Sequence, residues 1–205
     1  MAKYGVSPYL TTFAFGSPPN TTELTDGKLT SFANPSDTFQ PVTAGAASSM
    51  GTVTAGDFIG WGVWETGTKT AIPSGSISPA NRLHYVVGIP TAVMPTSGIA
   101  TYTLIGSTAP TRYDGIVGSL TSASFSADFS FGYVSTSLVT SFGTVGDSVM
   151  LANGSSFSSG TSIRGNFFGA NAARAGLVYG GFDSTWMYFS GSAVFQKQQL
   201  SVSAQ

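Results

Sequence analysis

The stretch LTSASFSADFSFGY, residues 120–133, decides the fold of this chain. Its odd positions from Ala123 to Tyr133 carry alanine or aromatic residues, whereas its even positions from Ser122 to Ser130 carry serine or aspartate. The side chains of a strand point alternately to opposite faces, so the pattern predicts a long strand with one aromatic and one hydroxyl-rich face. A strand that is apolar on one side and wet on the other is typical of an antiparallel sheet or a barrel.

The alternation makes specific predictions about burial. Phe125, Phe129 and Phe131 should be buried on one face, with Ser124 and Ser126 on the other. Asp128 is the only charge on the strand and lies on the serine face, where we expect it to be solvated. If that face lined a barrel lumen instead, the carboxylate would need a partner, with Arg112 or Arg164 as the candidates.

Similar strand patterns recur on both sides of this stretch, separated by glycine and proline turns. About eight strands fall between residues 57 and 197, and no segment has a helical period. Closure into a barrel would remove the exposed edges, so we predict an all-β, up-and-down antiparallel β-barrel of about eight strands. The predicted organisation is an irregular N-terminal arm or linker over residues 1–50, a barrel domain over 51–197 and a tail over 198–205.

The arm is unusual because it has few charges and many large apolar side chains, among them Tyr4, Tyr9, Leu10, Phe13, Phe15, Phe32 and Phe39. Exposure of that much apolar surface is unfavourable, at about 25 cal/mol per Å². We therefore expect the segment from Tyr9 to Phe15 to dock, either on the chain's own barrel or on a neighbouring copy.

Composition narrows the possible functions. The chain has 8 Lys and Arg against 9 Asp and Glu, and this balance offers no basic footprint for nucleic acid. Cysteine is absent, which excludes disulfides and thiolate metal sites. Low charge with many hydroxyl and aromatic residues is typical of secreted and surface β proteins. MAKYGVSPYL has no signal-peptide pattern, so export would imply a mature form or an excised domain.

A family resemblance lies in IRGNFFGANAARAGLVYGG, residues 163–181. This stretch resembles the last-hairpin signature of the transferrin-binding-protein-like β-barrels of Gram-negative surface lipoproteins. The chain departs from that signature at Arg174, where the family usually has an acidic residue, and at Leu177, where it has a second glycine. The resemblance implies two strands joined by a helical turn at residues 170–175. The matching positions are Gly165, Phe167, Phe168, Gly169, Asn171, Ala172 and Gly176.

A second resemblance involves HYVVG, residues 84–88, and MPTSGIATYTLIGSTAPT, residues 94–111. These stretches resemble the C-terminal barrel of FecR-domain-containing Gram-negative proteins, and they add His84 and Gly88 to the motif residues. Together the resemblances cover about residues 57–197. They imply an envelope or surface location and, in some members, capture of iron, haem or host proteins.

Few residues carry candidate chemistry. His84 is the only histidine and either packs as a structural residue or, as a weak candidate for cofactor binding, ligates haem. No Gly-x-Ser-x-Gly elbow is present and the acidic residues are scattered, so we predict no enzyme, no metal site and no cofactor. The aromatic residues, including Trp61, Trp64 and Trp186, either fill the barrel interior or line a ligand cavity.

The leading hypothesis is a non-enzymatic envelope or surface β-barrel binding module, with an unknown protein or a small molecule as its ligand. The alternative is a structural, self-assembling extracellular protein of the fibre type, in which residues 1–50 exchange strands with a neighbour. An integral outer-membrane barrel is a third possibility.

Overall fold

The computed structural model describes residues 21–25, 28–33, 42–43, 47–53, 59–65, 67–69, 75–77, 82–151, 154–159 and 162–198. Side chains are described for residues 59–65, 82–151, 154–159 and 162–198. The predicted docking of Tyr9 to Phe15 lies outside these residues, as does the tail beyond residue 198. The boundary at residue 50 stays a prediction.

The described segments are strands, turns and a single 3-10 turn, Ala170–Ala172. None of these segments is a helix long and apolar enough to cross a membrane. The strands are β1 (Thr21–Thr25), β2 (Lys28–Ala33), β3 (Val42–Thr43), β4 (Ala47–Val53), β5 (Ile59–Trp64), β6 (Gly67–Lys69), β7 (Gly75–Ile77), β8 (Leu83–Gly88), β9 (Ile99–Ser107), β10 (Thr111–Arg112), β11 (Leu120–Asp128), β12 (Tyr133–Thr140), β13 (Gly143–Met150), β14 (Ser156–Ser158), β15 (Ile163–Phe168), β16 (Arg174–Phe182) and β17 (Tyr188–Lys197).

Eight of these strands form an antiparallel barrel in the order β13-β12-β11-β9-β17-β16-β15-β14. The short β10 continues β9 along β17. β13 and β14 meet only at a bridge between Leu151 and Phe157, so the barrel is nearly closed. The predicted all-β fold, an eight-stranded antiparallel barrel, is confirmed. All eight strands lie between residues 99 and 197, a shorter stretch than the expected 57–197.

Two segments that we expected in the barrel wall lie elsewhere. β5 and β8 pair with β4 in a separate three-stranded sheet, here called the side sheet, which packs on the outside of the barrel. The continuous apolar character of β5 and β8 predicted strands correctly but could not tell which sheet they join. A further five-stranded sheet has the order β1-β2-β3-β6-β7.

The stretch from Leu120 to Tyr133 forms two strands with a turn between them. β11 ends at Asp128, whose Oδ1 accepts hydrogen bonds from the backbone N–H groups of Ser130 (2.9 Å) and Phe131 (3.2 Å). This arrangement caps a turn over residues 129–132 that an aspartate favours. The sequence pattern continues through the turn because Phe131 and Tyr133 happen to keep the alternation.

The burial predictions are confirmed for two of the three phenylalanines. Phe125 and Phe129 are buried, Ser124 is exposed and Ser126 is half-buried on the opposite face. The prediction for Phe131 is wrong: its side chain is 75% exposed, because the strand has ended and the residue lies in the turn.

The barrel interior is filled by side chains over the described residues. Phe125 is its centre, with ring centroids 5.1 Å from Tyr102, 5.5 Å from Phe157, 5.9 Å from Phe167 and 5.1 Å from Phe195. Apolar residues from every long barrel strand join this cluster. Of the two alternatives for the aromatic residues, the interior therefore shows core filling, and the three tryptophans lie outside it.

The last hairpin has the predicted form. β15 and β16 pair antiparallel over six residue pairs, and the 3-10 turn joins them. The turn is shorter than the predicted 170–175, because β16 already begins at Arg174. Gly169 precedes the turn at φ +72°, a left-handed conformation that glycine adopts without strain.

The side sheet covers the outer surface of the hairpin. Ile59, Trp61 and Val86 form a second apolar cluster with Phe168, Val178 and Val194 of the barrel. The indole of Trp61 lies where a Cβ at Gly106 would stand, so β9 can pass beneath it only because residue 106 is glycine. β16 and β17 are consequently buried on both faces, and their sequences are apolar without alternation.

Removal of the central ring tests this arrangement. Phe125→Ala should lower the free energy of unfolding by about 3–5 kcal/mol, since it leaves a cavity among four other rings. Phe131→Ala, in the exposed turn, should change it by about 0.5 kcal/mol or less. Urea denaturation of both variants measures the difference, and equal losses would contradict the burial described above.

Candidate binding site at the loop end of the barrel

One end of the barrel carries the connection from β10 to β11 and the connection from β16 to β17; we call it the loop end. Exposed apolar side chains gather on these two connections. Together we call them the loop patch, whose members are Tyr113, Ile116, Val117, Phe182 and Trp186. Exposed apolar residues that share one rigid surface are a common mark of an interaction site.

Asp183 organises the connection between β16 and β17. Its Oδ1 accepts hydrogen bonds from the N–H (2.8 Å) and hydroxyl (2.7 Å) of Thr185 and from the N–H of Met187 (2.9 Å). Its Oδ2 accepts one from Nη1 of Arg112 at 2.8 Å. These donors, the Thr185 hydroxyl first, hold the pKa of Asp183 well below its usual range. The carboxylate therefore stays charged and fixes the connection.

Arg112 joins the two connections of the loop end. Besides its bond to Asp183, it donates from Nε and Nη2 to the two carboxylate oxygens of Asp114, at 2.9 and 2.6 Å. Its guanidinium also lies 5.8 Å from the ring centroid of Phe142. The N–H of Tyr113 donates to the carbonyl of Tyr188 at 2.8 Å. One planar cation thus ties both halves of the loop patch into a single surface.

Trp186 is the most exposed member of the loop patch, at 83%. Its φ of +63° is left-handed, which is rare for a bulky residue and costs about 1–3 kcal/mol. Its N–H donates to the carbonyl of Asp183 at 3.0 Å, and its ring centroid lies 6.4 Å from that of Phe182. The fold therefore holds a large indole in solvent in a strained conformation, with little packing in return.

The predicted motif residues lie away from the loop patch. His84 and Gly88 are in β8 of the side sheet, where Gly88 pairs with Ile59. His84 is fully buried, and its Nδ1 lies 2.8 Å from the hydroxyl oxygen of Thr108. The structure surrounds this histidine with protein.

The other motif residues belong to the last hairpin. Phe167 points into the barrel core and Phe168 toward the side sheet. Gly165 and Gly176 allow close approaches, the first by Phe157 and the second by Val86, 2.5 Å from a Cβ placed there. Their role as a family motif stays a prediction.

Asn171 and Ala172 lie in the 3-10 turn at the opposite end from the loop patch, both at positive φ. The carbonyl of Ala172 accepts a hydrogen bond from the hydroxyl of Tyr102 at 2.8 Å, so this turn braces the barrel. His84 and the hairpin residues are not brought together into one polar site.

A cleft of about 700 Å³ lies beside this turn, lined in part by Thr101, Asn171, Lys197 and Gln198. Its polar groups bond one another: the Thr101 hydroxyl donates to Oε1 of Gln198 at 2.7 Å, and the Lys197 ammonium donates to the carbonyl of Asn171 at 3.4 Å. The described residues contain no group of three histidine, aspartate or glutamate side chains able to hold a metal ion. The loop patch is the stronger candidate site.

Sequence reasoning did not find the loop patch, although FDSTWMY, residues 182–188, carries a local signal. An aspartate followed two residues later by threonine favours a tight turn with side chain to backbone hydrogen bonds. A tryptophan in such a turn has no strand neighbours to bury it. The link from Asp183 to Arg112 spans 71 residues and could not be predicted from local sequence.

Fold and site together define a class: a side-chain-filled, eight-stranded antiparallel β-barrel with a rigid apolar patch at one end. No protein-family model matches the chain. No curated protein matches it either.

Transferrin-binding proteins are among the solved structures to which the chain is similar. The intact Ap-TbpB, with N and C lobes, has a TM-score of 0.47 at 17% identity over 82% of this chain and 44% of that one. TbpB from Haemophilus parasuis Hp5 has a TM-score of 0.46 at 16% identity, over 82% of this chain and 42% of that one. TbpB from Actinobacillus pleuropneumoniae H49 has a TM-score of 0.42 at 11% identity, over 92% of this chain and 98% of that one. The chain spans less than half the length of the first two proteins.

The conformation of Trp186 can be tested through stability. Trp186→Asn should leave the free energy of unfolding unchanged or raise it by about 1 kcal/mol, because asparagine tolerates left-handed backbone and little packing is lost. Trp64→Asn, in contrast, removes a fully buried indole and should cost about 3–5 kcal/mol. Chemical denaturation separates the two. If Trp186→Asn lowered the free energy of unfolding as much as Trp64→Asn does, the result would contradict a strained conformation at Trp186.

The pKa of Asp183 predicts an acid limit for the loop end. Since folding lowers this pKa below its ordinary 3.8, the carboxylate's contribution to stability is present above that pH and is lost as the pH falls below it. Asp183→Asn should lower the melting temperature at pH 6 and flatten its pH dependence between pH 4 and 2. Calorimetry across this range measures both effects. Identical pH profiles of variant and parent would rule out the assignment.

Proposed function

We propose that this chain is a non-enzymatic binding module of the bacterial envelope or cell surface that captures a protein through the loop patch. The observation that carries the proposal is Trp186, held in solvent in a left-handed conformation by the hydrogen-bonded turn of Asp183. Strain that persists only because surrounding bonds impose it is characteristic of functional sites.

The filled interior supports an external site. The rings around Phe125 occupy the space where a barrel of this size would hold a small ligand. His84, the weak candidate for haem, is fully buried between the side sheet and the barrel. Binding by the outer surface is therefore the version of the module that this geometry supports.

The composition of the loop patch favours a protein partner over a small molecule. Tryptophan, tyrosine and arginine dominate the binding energy of protein interfaces, and three of them lie within residues 112–113 and 186. The carboxylates of Asp114 and Asp183 both pair with Arg112, so these three groups together carry one net negative charge beside the apolar surface. A preformed surface also loses little entropy on binding, so few residues can supply useful affinity.

The finer forms of this proposal are iron, haem or host-protein capture at the bacterial surface. The low charge, the abundant hydroxyl residues and the two sequence resemblances support a surface location. Because the similar solved structures carry the name transferrin-binding protein, transferrin is a reasonable first probe, followed by pooled serum proteins and the chain itself.

Surface plasmon resonance against this panel tests the proposal. Trp186→Ala should weaken binding of the captured protein at least thirtyfold, which corresponds to about 2 kcal/mol for an interface anchor. Phe131→Ala is the matched control, since it removes an exposed aromatic ring from the opposite end of the barrel. An equal effect of both variants, or none at Trp186, would reject the loop patch as the site.

The alternative, self-association through residues 1–50, is separable in the same experiments. Sedimentation of the full chain and of a variant lacking those residues would distinguish it. Concentration-dependent assembly that the deletion abolishes and Trp186→Ala does not would favour the fibre-type function over capture.

A further inference from the structure

His84 occupies an unusual position between the side sheet and the barrel. The contact around it is apolar, made by Ile59, Trp61 and Val86 against the outer surface of the barrel. His84 is the only histidine of the chain, and none of its surface is exposed. A titratable ring at such a junction couples the docking of two sheets to the state of a single proton.

The histidine closes a buried chain of polar groups that crosses from the side sheet to the barrel. Its Nδ1 lies 2.8 Å from the Thr108 hydroxyl, and that hydroxyl lies 3.1 Å from the Ser192 hydroxyl. The backbone N–H of Ser192 also donates to the Thr108 hydroxyl, at 2.9 Å. A neutral imidazole satisfies this chain in either tautomer, since a hydroxyl can both donate and accept.

A protonated imidazole does not fit the same place. It carries two N–H donors, and Nε2 of His84 is buried with no hydrogen-bond partner in the described part of the chain. The described charge that acts on His84 is also positive: Arg82, whose Nη2 pairs with Oε1 of Glu65 at 3.2 Å. The groups that face His84 from the barrel, Thr108 and Ser192, are neutral.

We propose that His84 is an acid-sensitive latch: neutral, it holds the side sheet on the barrel, and its protonation releases the side sheet and uncovers the apolar outer surface of the last hairpin. The surface uncovered includes Phe168, Val178 and Val194. The barrel core around Phe125 is a separate cluster, so the barrel itself can stay folded when the side sheet leaves.

The direction of the pH effect follows from the two states. Burial, and secondarily Arg82, lowers the pKa of His84 from 6.5 to about 3 in the docked state, whereas the released ring has its ordinary pKa. Docking is therefore strongest above pH 6.5 and weakens as the pH falls below it. The docking equilibrium constant drops about tenfold per pH unit until the pH approaches 3. Between pH 7.5 and 5 no carboxylate with an ordinary pKa titrates, which isolates the histidine.

Hydrogen exchange read by mass spectrometry, corrected for intrinsic rates, tests the latch on the full chain. Between pH 6 and 5, the opening constant of the amides in β5 and β8 should rise about tenfold, with those of β15 and β16 unchanged. In His84→Gln and His84→Leu, both uncharged, the opening constant of β5 and β8 should not depend on pH. Two replacements of different polarity guard against one that fails to fold.

Gly106→Ala is the positive control, since its methyl group displaces Trp61 and should open the side sheet at every pH. Three results would overturn the proposal: no pH dependence in the parent chain, the same pH dependence in the two His84 variants, or equal opening of β5 and the barrel strands. The last result would make His84 a group that affects global stability only.

Discussion

The double burial of β16 and β17 is the constraint on which the rest of this structure depends. One face of the pair contributes Leu177, Tyr179 and Phe195 to the barrel interior, and the other contributes Val178 and Val194 to the contact with the side sheet. Two strands covered on both faces exclude water from both ladders they form, so their hydrogen bonds and side chains are fixed together. One connection of the loop end joins β16 to β17, so this rigid pair also holds that part of the loop patch.

Burial on both faces also explains which parts of the fold could be predicted. β11 faces solvent on one side, and its alternation correctly predicted a strand, the face that is buried, and the burial of Phe125 and Phe129. β5, β8, β16 and β17 lack that alternation, so their apolar runs indicate strands but not the sheet to which each belongs. The local sequence of a strand indicates whether one or both of its faces are buried, but not which element packs on each face.

The loop patch was harder to predict from the sequence than the strands. A strand can be predicted from a local pattern that repeats over two or three residues. The loop patch depends instead on Arg112, which bonds to Asp114 and Asp183 on two different connections. Such a contact is set by the register of β10 against β17, where Arg112 pairs with Phe189. No spacing in the sequence encodes that register. The exposure of Trp186 likewise depends on where β16 ends, which varies by several residues for a given apolar pattern.

The two ionisable centres of the molecule behave differently because their environments differ. Asp183 is surrounded by donors, which stabilise its charged form and keep the loop end intact in mild acid. His84 is surrounded by apolar groups and neutral hydroxyls, which stabilise its uncharged form alone. Between pH 6.5 and 4 the loop patch therefore keeps its geometry, while the attachment of the side sheet weakens. The side sheet packs on β16 and β17, and the same two strands carry one of the connections of the loop end. The hydrogen bonds of β17 to β16 and β9 do not titrate. They therefore keep the loop patch in place while the attachment of the side sheet responds to acid.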